Sequence, residues 1–212
     1  MDFIDAIKNY SGQPLTRQIL IDLLQEYRRP YDKINELIKQ KLLIRVKRGL
    51  FIPGPQASIP APEKMLLANH LWGPSYVSSD SALSYWGLIP ERVYETLSMT
   101  TNLAKTYKTP VGRFRYIRLP LPYYSFGIQR VELASKQMTL IAGKEKSLCD
   151  KIITTQRLKL RSVKQTREYL MEDLRISRQS LRELSMDTIN DYFKEAPKQD
   201  SILILIKTLS DL

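Results

Sequence analysis

RRPYDKINELIKQKLLIRVKRGLFIP, residues 28–53, sets a helical periodicity directly against an alternating one. Ile34, Leu37, Ile38 and Leu42 fall on one stripe of a helix, with Asp32, Lys33, Asn35, Glu36, Lys39 and Gln40 on the outer face. Pro30 stands where a first turn needs no N–H. Two apolar strands follow, Leu43–Lys47 and Leu50–Ile52, and the Arg48-Gly49 turn between them has a glycine to take positive φ without steric cost. A helix running straight into a tight hairpin is the back half of a winged helix-turn-helix. In that design the helix enters a DNA major groove and the hairpin tip meets the backbone or the next groove. The window holds eight basic residues (Arg28, Arg29, Lys33, Lys39, Lys41, Arg45, Lys47, Arg48) against Asp32 and Glu36, the balance a phosphate-binding surface requires.

Upstream, Asp2–Asn9 reads as a first helix stopped by Ser11-Gly12 and Pro14. Thr16 is a candidate N-cap for a second, whose buried face is Ile19, Leu20, Leu23, Leu24 and Tyr27. Downstream, PGPQASIPAP (53–62) puts four prolines in ten residues and reads as stiff, extended chain that fits neither a helix nor a central strand. This divides the protein into a winged helix-turn-helix domain (1–54), a linker (55–62), a mixed α/β domain (63–175) and a helical C-terminal extension (176–212), an α+β chain. Within the second domain, helices are expected at Glu63–Trp72, from a Ser78 cap through Trp86, and at Lys144–Thr154, with helical pattern again from Ser162. Tyr76-Val77 reads as extended, and strands are expected at Thr96–Thr101, Arg113–Leu119, Ser125–Leu133 and Gln137–Ile141.

The 212 residues are 43% hydrophobic and 26% charged, as in an ordinary globular protein. The formal net charge of +11 and pI near 9.7 point to a polyanionic partner. Nucleic acid fits better than a membrane, since no apolar run approaches the roughly 20 residues of a spanning helix. MDFIDAIKNYSG lacks a basic-then-apolar leader pattern, and the single Cys149 has no internal disulfide partner, so a reducing cytoplasm is expected. Residues 101–136 carry seven basic side chains against Glu132 alone, and 152–167 carry five against none. Lys105, Lys108, Arg113, Arg115 and Arg118 form a candidate second basic patch, for which edge protection of a sheet is the competing reading.

Candidates for catalysis are few. His70 is the only histidine and has no evident orienting partner, so a structural role is expected. Cys149 among Leu148, Ile152 and Ile153 reads as a small buried hydrophobe. One histidine and one cysteine cannot build a His/Cys metal cluster, and no metal or cofactor is expected. No GxGxxG or GxxxxGK[ST] loop occurs. Gly143-Lys144-Glu145-Lys146-Ser147 reads as a strand-to-helix turn with solvated lysines rather than an anion site. Serines 75, 78, 79, 81 and 84 read as caps and small packing residues, with no G-x-S-x-G elbow around them.

The order of four phrases is informative: RGLFIPG (48–54), SYVSSDSALSYWGLIPE (75–91), RFRYIRLP (113–120) and LIAGKEKSLCDKI (140–152). Together they resemble the AbiEi family of antitoxin-like transcriptional regulators from bacterial type IV toxin–antitoxin and phage-abortive systems, over about residues 5 to 175. The resemblance implies a winged helix-turn-helix that binds operator repeats in double-stranded DNA and represses its own operon, with self-association on DNA. It also implies an α/β domain that counters a nucleotidyltransferase-like toxin without a stable complex. Carried onto this chain, the recognition helix is Tyr31–Lys41 and the wing Lys47–Gly49, giving Arg28, Arg29, Tyr31, Lys33, Asn35, Lys47 and Arg48 as DNA-contact candidates. The segment 176–212 has no counterpart in the resemblance, and no Pro-Asp dipeptide begins the nuclease signature of some relatives. Two other functions compete: a nucleic-acid-processing enzyme using carboxylates and lysines of the second domain, and an adaptor for an acidic protein partner.

Overall fold

The computed structural model describes residues 3–133 and 136–212, so Asp2 of the expected first helix lies outside the described residues. The N-terminal part comprises α1 (Phe3–Lys8), β1 (Leu15–Thr16), α2 (Arg17–Leu23), α3 (Pro30–Lys39), β2 (Leu43–Lys47) and β3 (Leu50–Pro53). Thr16 caps α2, its Oγ1 accepting from the Ile19 N–H at 3.3 Å. α2 ends at Leu23, four residues before Tyr27, so Tyr27 is exposed rather than buried. α3 opens on Pro30 and ends at Lys39, short of the expected Lys41. Lys41 takes φ 58°, and the Leu42 and Lys41 N–H groups turn back onto the carbonyls of Leu37 and Ile38, the Schellman pattern with lysine where glycine usually stands.

The proline-rich segment begins folded against that helix end rather than extended. Gly54 N–H donates to the Leu42 carbonyl, and Pro55–Ala57 forms a 3-10 turn that buries Ala57. A Cβ on Gly54 would lie 2.2 Å from the Lys41 carbonyl oxygen, so only glycine fits there. Pro53 does belong to a central strand, since the sheet order is β1-β3-β2. It is tolerated because β1 pairs only at Leu50 and Phe51, leaving Pro53 at the strand's end opposite Leu43.

β3 is a wall between two cores. Phe51 and Leu43 pack with Phe3, Ile7, Leu20 and Ile34 in the smaller one, whereas Val46, Leu50 and Ile52 join the large core of the rest of the chain. The two parts are therefore docked through the hairpin itself.

The remainder runs α4 (Lys64–Leu71), β4 (Ser75–Val77), α5 (Ser79–Tyr85), β5 (Glu95–Thr100), β6 (Lys105–Thr109), β7 (Gly112–Arg118), β8 (Ile128–Glu132), β9 (Met138–Ala142), α6 (Lys144–Thr154), α7 (Val163–Glu168), α8 (Arg178–Arg182), α9 (Met186–Phe193) and α10 (Gln199–Ser210). One mixed sheet, in the order β6-β7-β5-β4-β9-β8, holds parallel pairs β4/β9 and β5/β7 among antiparallel ones, and the chain is α+β. α4 packs on one face, where the Tyr116 hydroxyl donates to the Ala68 carbonyl at 2.7 Å. α5 and α6 cover part of the other, on the side of Tyr76 and Ser78.

Under α6 lies a buried ion pair. Lys146 Nζ and Asp150 Oδ1 are 3.0 Å apart on successive turns, with side chains 1% and 0% exposed. Asp150 accepts from Tyr76 Oη (3.0 Å), Ser78 Oγ (2.7 Å) and Tyr123 Oη (2.9 Å), and Lys146 also donates to the Tyr123 carbonyl (3.0 Å). Burial pulls the Lys146 ammonium below its ordinary pKa, and the Asp150 carboxylate opposes that fall. Lys146 is thus not one of the solvated lysines expected of the Gly143–Ser147 turn: an inward carboxylate one turn on draws it into the core. Cys149 is buried as expected, and burial pushes its thiol far above the ordinary range. His70 is exposed on α4.

Candidate nucleic-acid interface

α3 and the β2–β3 hairpin enclose a groove of about 390 Å³ lined by Arg17, Tyr31, Ile34, Asn35, Arg45, Arg48, Gly49 and Phe51. Each wall follows from local structure. Tyr31, Ile34 and Asn35 lie three and four residues apart and so share one helical stripe. Arg45 and Phe51 are cross-strand partners, and the Arg45 guanidinium lies 5.7 Å from the Phe51 ring centre. β1 brings in Arg17: pairing of Leu15 and Thr16 with β3 carries the chain to the hairpin, where the Arg17 N–H donates to the Gly49 carbonyl at 3.0 Å.

The groove is strongly electropositive. Among the described residues no carboxylate lies within 4.0 Å of the Arg17, Arg45 or Arg48 guanidinium groups. Arg17 lies over the Tyr31 ring at 5.9 Å. Arg45 donates through Nη2 to Asn35 Oδ1 at 2.9 Å. That bond fixes the amide of the exposed Asn35, whose two N–H donors meet no partner among the described residues.

Of the seven residues singled out from sequence, Tyr31, Asn35 and Arg48 line this groove and the other four do not. Lys33 turns aside to Glu36, 2.9 Å away, and lies 5.3 Å from the Tyr27 ring; the ion pair raises the lysine and lowers the glutamate from their ordinary pKa values. Arg29 pairs loosely with Asp32 at 3.8 Å, and Arg28 is exposed in the turn before α3. Lys47 points away from the groove because Val46 is an extra residue in β2: the register runs Arg45↔Phe51, then Lys47↔Leu50. The bulge re-aims Lys47, whose amine donates to the Leu71 carbonyl. Arg17 was not singled out from sequence as a contact, and Arg45 only as part of the charge count. Arg17 depends on a two-residue strand with no signature of its own.

The second basic patch is divided by the sheet. Register pairs Lys108 with Arg113 and Lys105 with Tyr116, placing the first two on the face away from α4 and Lys105 on the α4 face. Glu95 holds both Arg113 Nε (2.6 Å) and Arg115 Nε (3.2 Å). Lys105 instead lies over Trp72 and Tyr107, 4.5 and 5.0 Å from their ring centres. Arg118 is exposed at the end of β7.

Among the described residues, no three His, Cys, Asp or Glu side chains gather as a metal site would need. No helix is long and apolar enough to cross a membrane, again among the described residues. No protein-family profile matches the chain, and no curated protein matches it.

Proposed function

We propose that this chain is a sequence-specific DNA-binding regulator, with α2 and α3 as its helix-turn-helix and the β2–β3 hairpin as a short wing. The observation that carries this reading is the groove itself: three arginines, a tyrosine and an asparagine between a helix and a hairpin, with no carboxylate within 4.0 Å of the arginines among the described residues. Uncompensated cations held on regular elements suit the sign of a DNA backbone. Arg17 and Arg48 are placed for phosphates, which position the duplex, while Asn35 and Tyr31 on the outer stripe of α3 are placed for base edges, which specify it.

The resemblance to AbiEi-type antitoxins extends the proposal. On that reading the protein represses its own operon from double-stranded operator repeats, associating with itself along them, in a bacterial cytoplasm. The second domain counters a nucleotidyltransferase-like toxin encoded beside it, acting as a regulator rather than an enzyme and without a cofactor. A nucleotidyltransferase-like neighbouring gene would support this extension.

Asn35 tests the DNA reading. Its exposed amide is set to meet a base edge, through Nδ2 as donor and the second lone pair of Oδ1 as acceptor, and a bidentate contact of that kind is worth about 1–3 kcal/mol of discrimination. Asn35→Ala should therefore lose affinity for a duplex taken from upstream of the protein's own reading frame more than for a mixed-sequence duplex, by roughly tenfold in a competition gel shift. Equal losses on both would remove Asn35 from base reading. No binding by the unaltered chain to either duplex would overturn the proposal.

A further inference from the structure

The bulge at Val46 sends Lys47 out of the groove and onto the second part of the chain, where it meets Lys105. Both ammonium groups lie over the Tyr107 ring, Lys47 at 5.9 Å and Lys105 at 5.0 Å from its centre. Trp72 completes the cluster, its ring 4.5 Å from Lys105 and its indole N–H donating to the Leu103 carbonyl at 3.1 Å. Neither lysine has a carboxylate within 4.0 Å among the described residues. Their mutual repulsion adds to burial in lowering the Lys47 pKa.

Two like charges on separate elements, held over one aromatic ring without a counter-ion, form an arrangement that an anion would stabilise. The rings explain why the cost is tolerated: cation–π attraction stabilises each ammonium but supplies no neutralising charge. Covalent continuity also matters. Lys47 adjoins Arg48, which lines the groove, so the lysine pair stands one residue along β2 from the groove, on the side of the hairpin that meets the edge strand β6.

We propose that Lys47 and Lys105 clamp one backbone phosphate of the duplex that the groove holds, making the edge of the six-stranded sheet a second, sequence-independent DNA contact. This rests on the DNA-binding reading above. It assigns to Lys105 a role that Lys108, three residues along the same strand but on the opposite face beside Arg113, does not share.

The test is fluorescence anisotropy of the full chain with a mixed-sequence duplex of about three helical turns, across a salt series. Lys105→Gln removes the charge from an exposed edge position and keeps the stem on Trp72, so folding should be retained; a melting curve checks it. The expected result is a loss of about five- to tenfold in affinity near 0.1 M salt and a log–log salt slope shallower by about one. Lys108→Gln should leave both unchanged. The inference is overturned if Lys105→Gln binds with unaltered affinity and slope while Arg48→Gln weakens binding, an outcome that leaves the DNA-binding reading standing. It is equally overturned if Lys105→Gln and Lys108→Gln lose affinity alike, which would mark a diffuse effect of net charge. Failure of the unaltered chain to bind the duplex would bring down both readings together.

Discussion

Beneath α6, Lys146 and Asp150 are sealed from water and fully partnered, the carboxylate by three hydroxyls and the ammonium by a carboxylate and a carbonyl. In the groove between α3 and the hairpin, Arg17 and Arg48 face solvent with no carboxylate in reach among the described residues. The contrast separates two uses of charge. A charge satisfied on every side within the chain has nothing left for a partner and serves the fold. An exposed cluster without counter-charge keeps its charge available to an anionic partner. The arginines of β7 fall between the two: they are exposed, but Glu95 already holds Arg113 and Arg115.

Asp150→Asn leaves the Lys146 ammonium in the core without its counter-charge, and stability should fall by about 3–5 kcal/mol in a denaturant titration. The salt slope of DNA binding, measured on the folded fraction, should not change. A loss below about 1 kcal/mol would mean that the pair contributes far less to the fold than its burial suggests.

The smallest effect sharpens the other side. Arg113→Gln removes a half-exposed arginine that Glu95 already neutralises. Its exposed ion pair contributes only about 0–1 kcal/mol, so both melting temperature and DNA affinity should stay near those of the unaltered chain. A loss of affinity as large as that expected for Lys105→Gln would place the outer face of β7 on the DNA path and erase the distinction drawn between the two faces of the sheet.

How much of this was legible in the sequence depended on the range of the forces involved. Helix α6 matches its expected span, Lys144–Thr154, because apolar spacing and a glycine before it are local signals. The Thr16 cap was legible for the same reason. β6 was missed, since Lys-Thr-Tyr-Lys-Thr lies at a sheet edge and shows no apolar alternation. At the groove, Tyr31 and Asn35 followed from helical periodicity, and Arg48 from the turn. Lys33 departed because Glu36 lies one turn away, and Lys47 because one extra residue in β2 reversed its direction. Arg17 was invisible because only a two-residue strand pairing brings it to the hairpin. Lys146 reads from sequence as a solvated lysine, and only tertiary packing brings Tyr76, Ser78 and Tyr123 around it and Asp150.

A salt titration of the Arg17→Gln/Arg48→Gln double variant asks whether the uncompensated arginines of the groove hold DNA phosphates. Each phosphate contact contributes about 0.9 to the log–log slope of affinity against salt, so the variant's line should be shallower than that of the unaltered chain by about 1.8, with a correspondingly lower affinity at low salt. Parallel lines of equal height would show that the groove does not hold DNA.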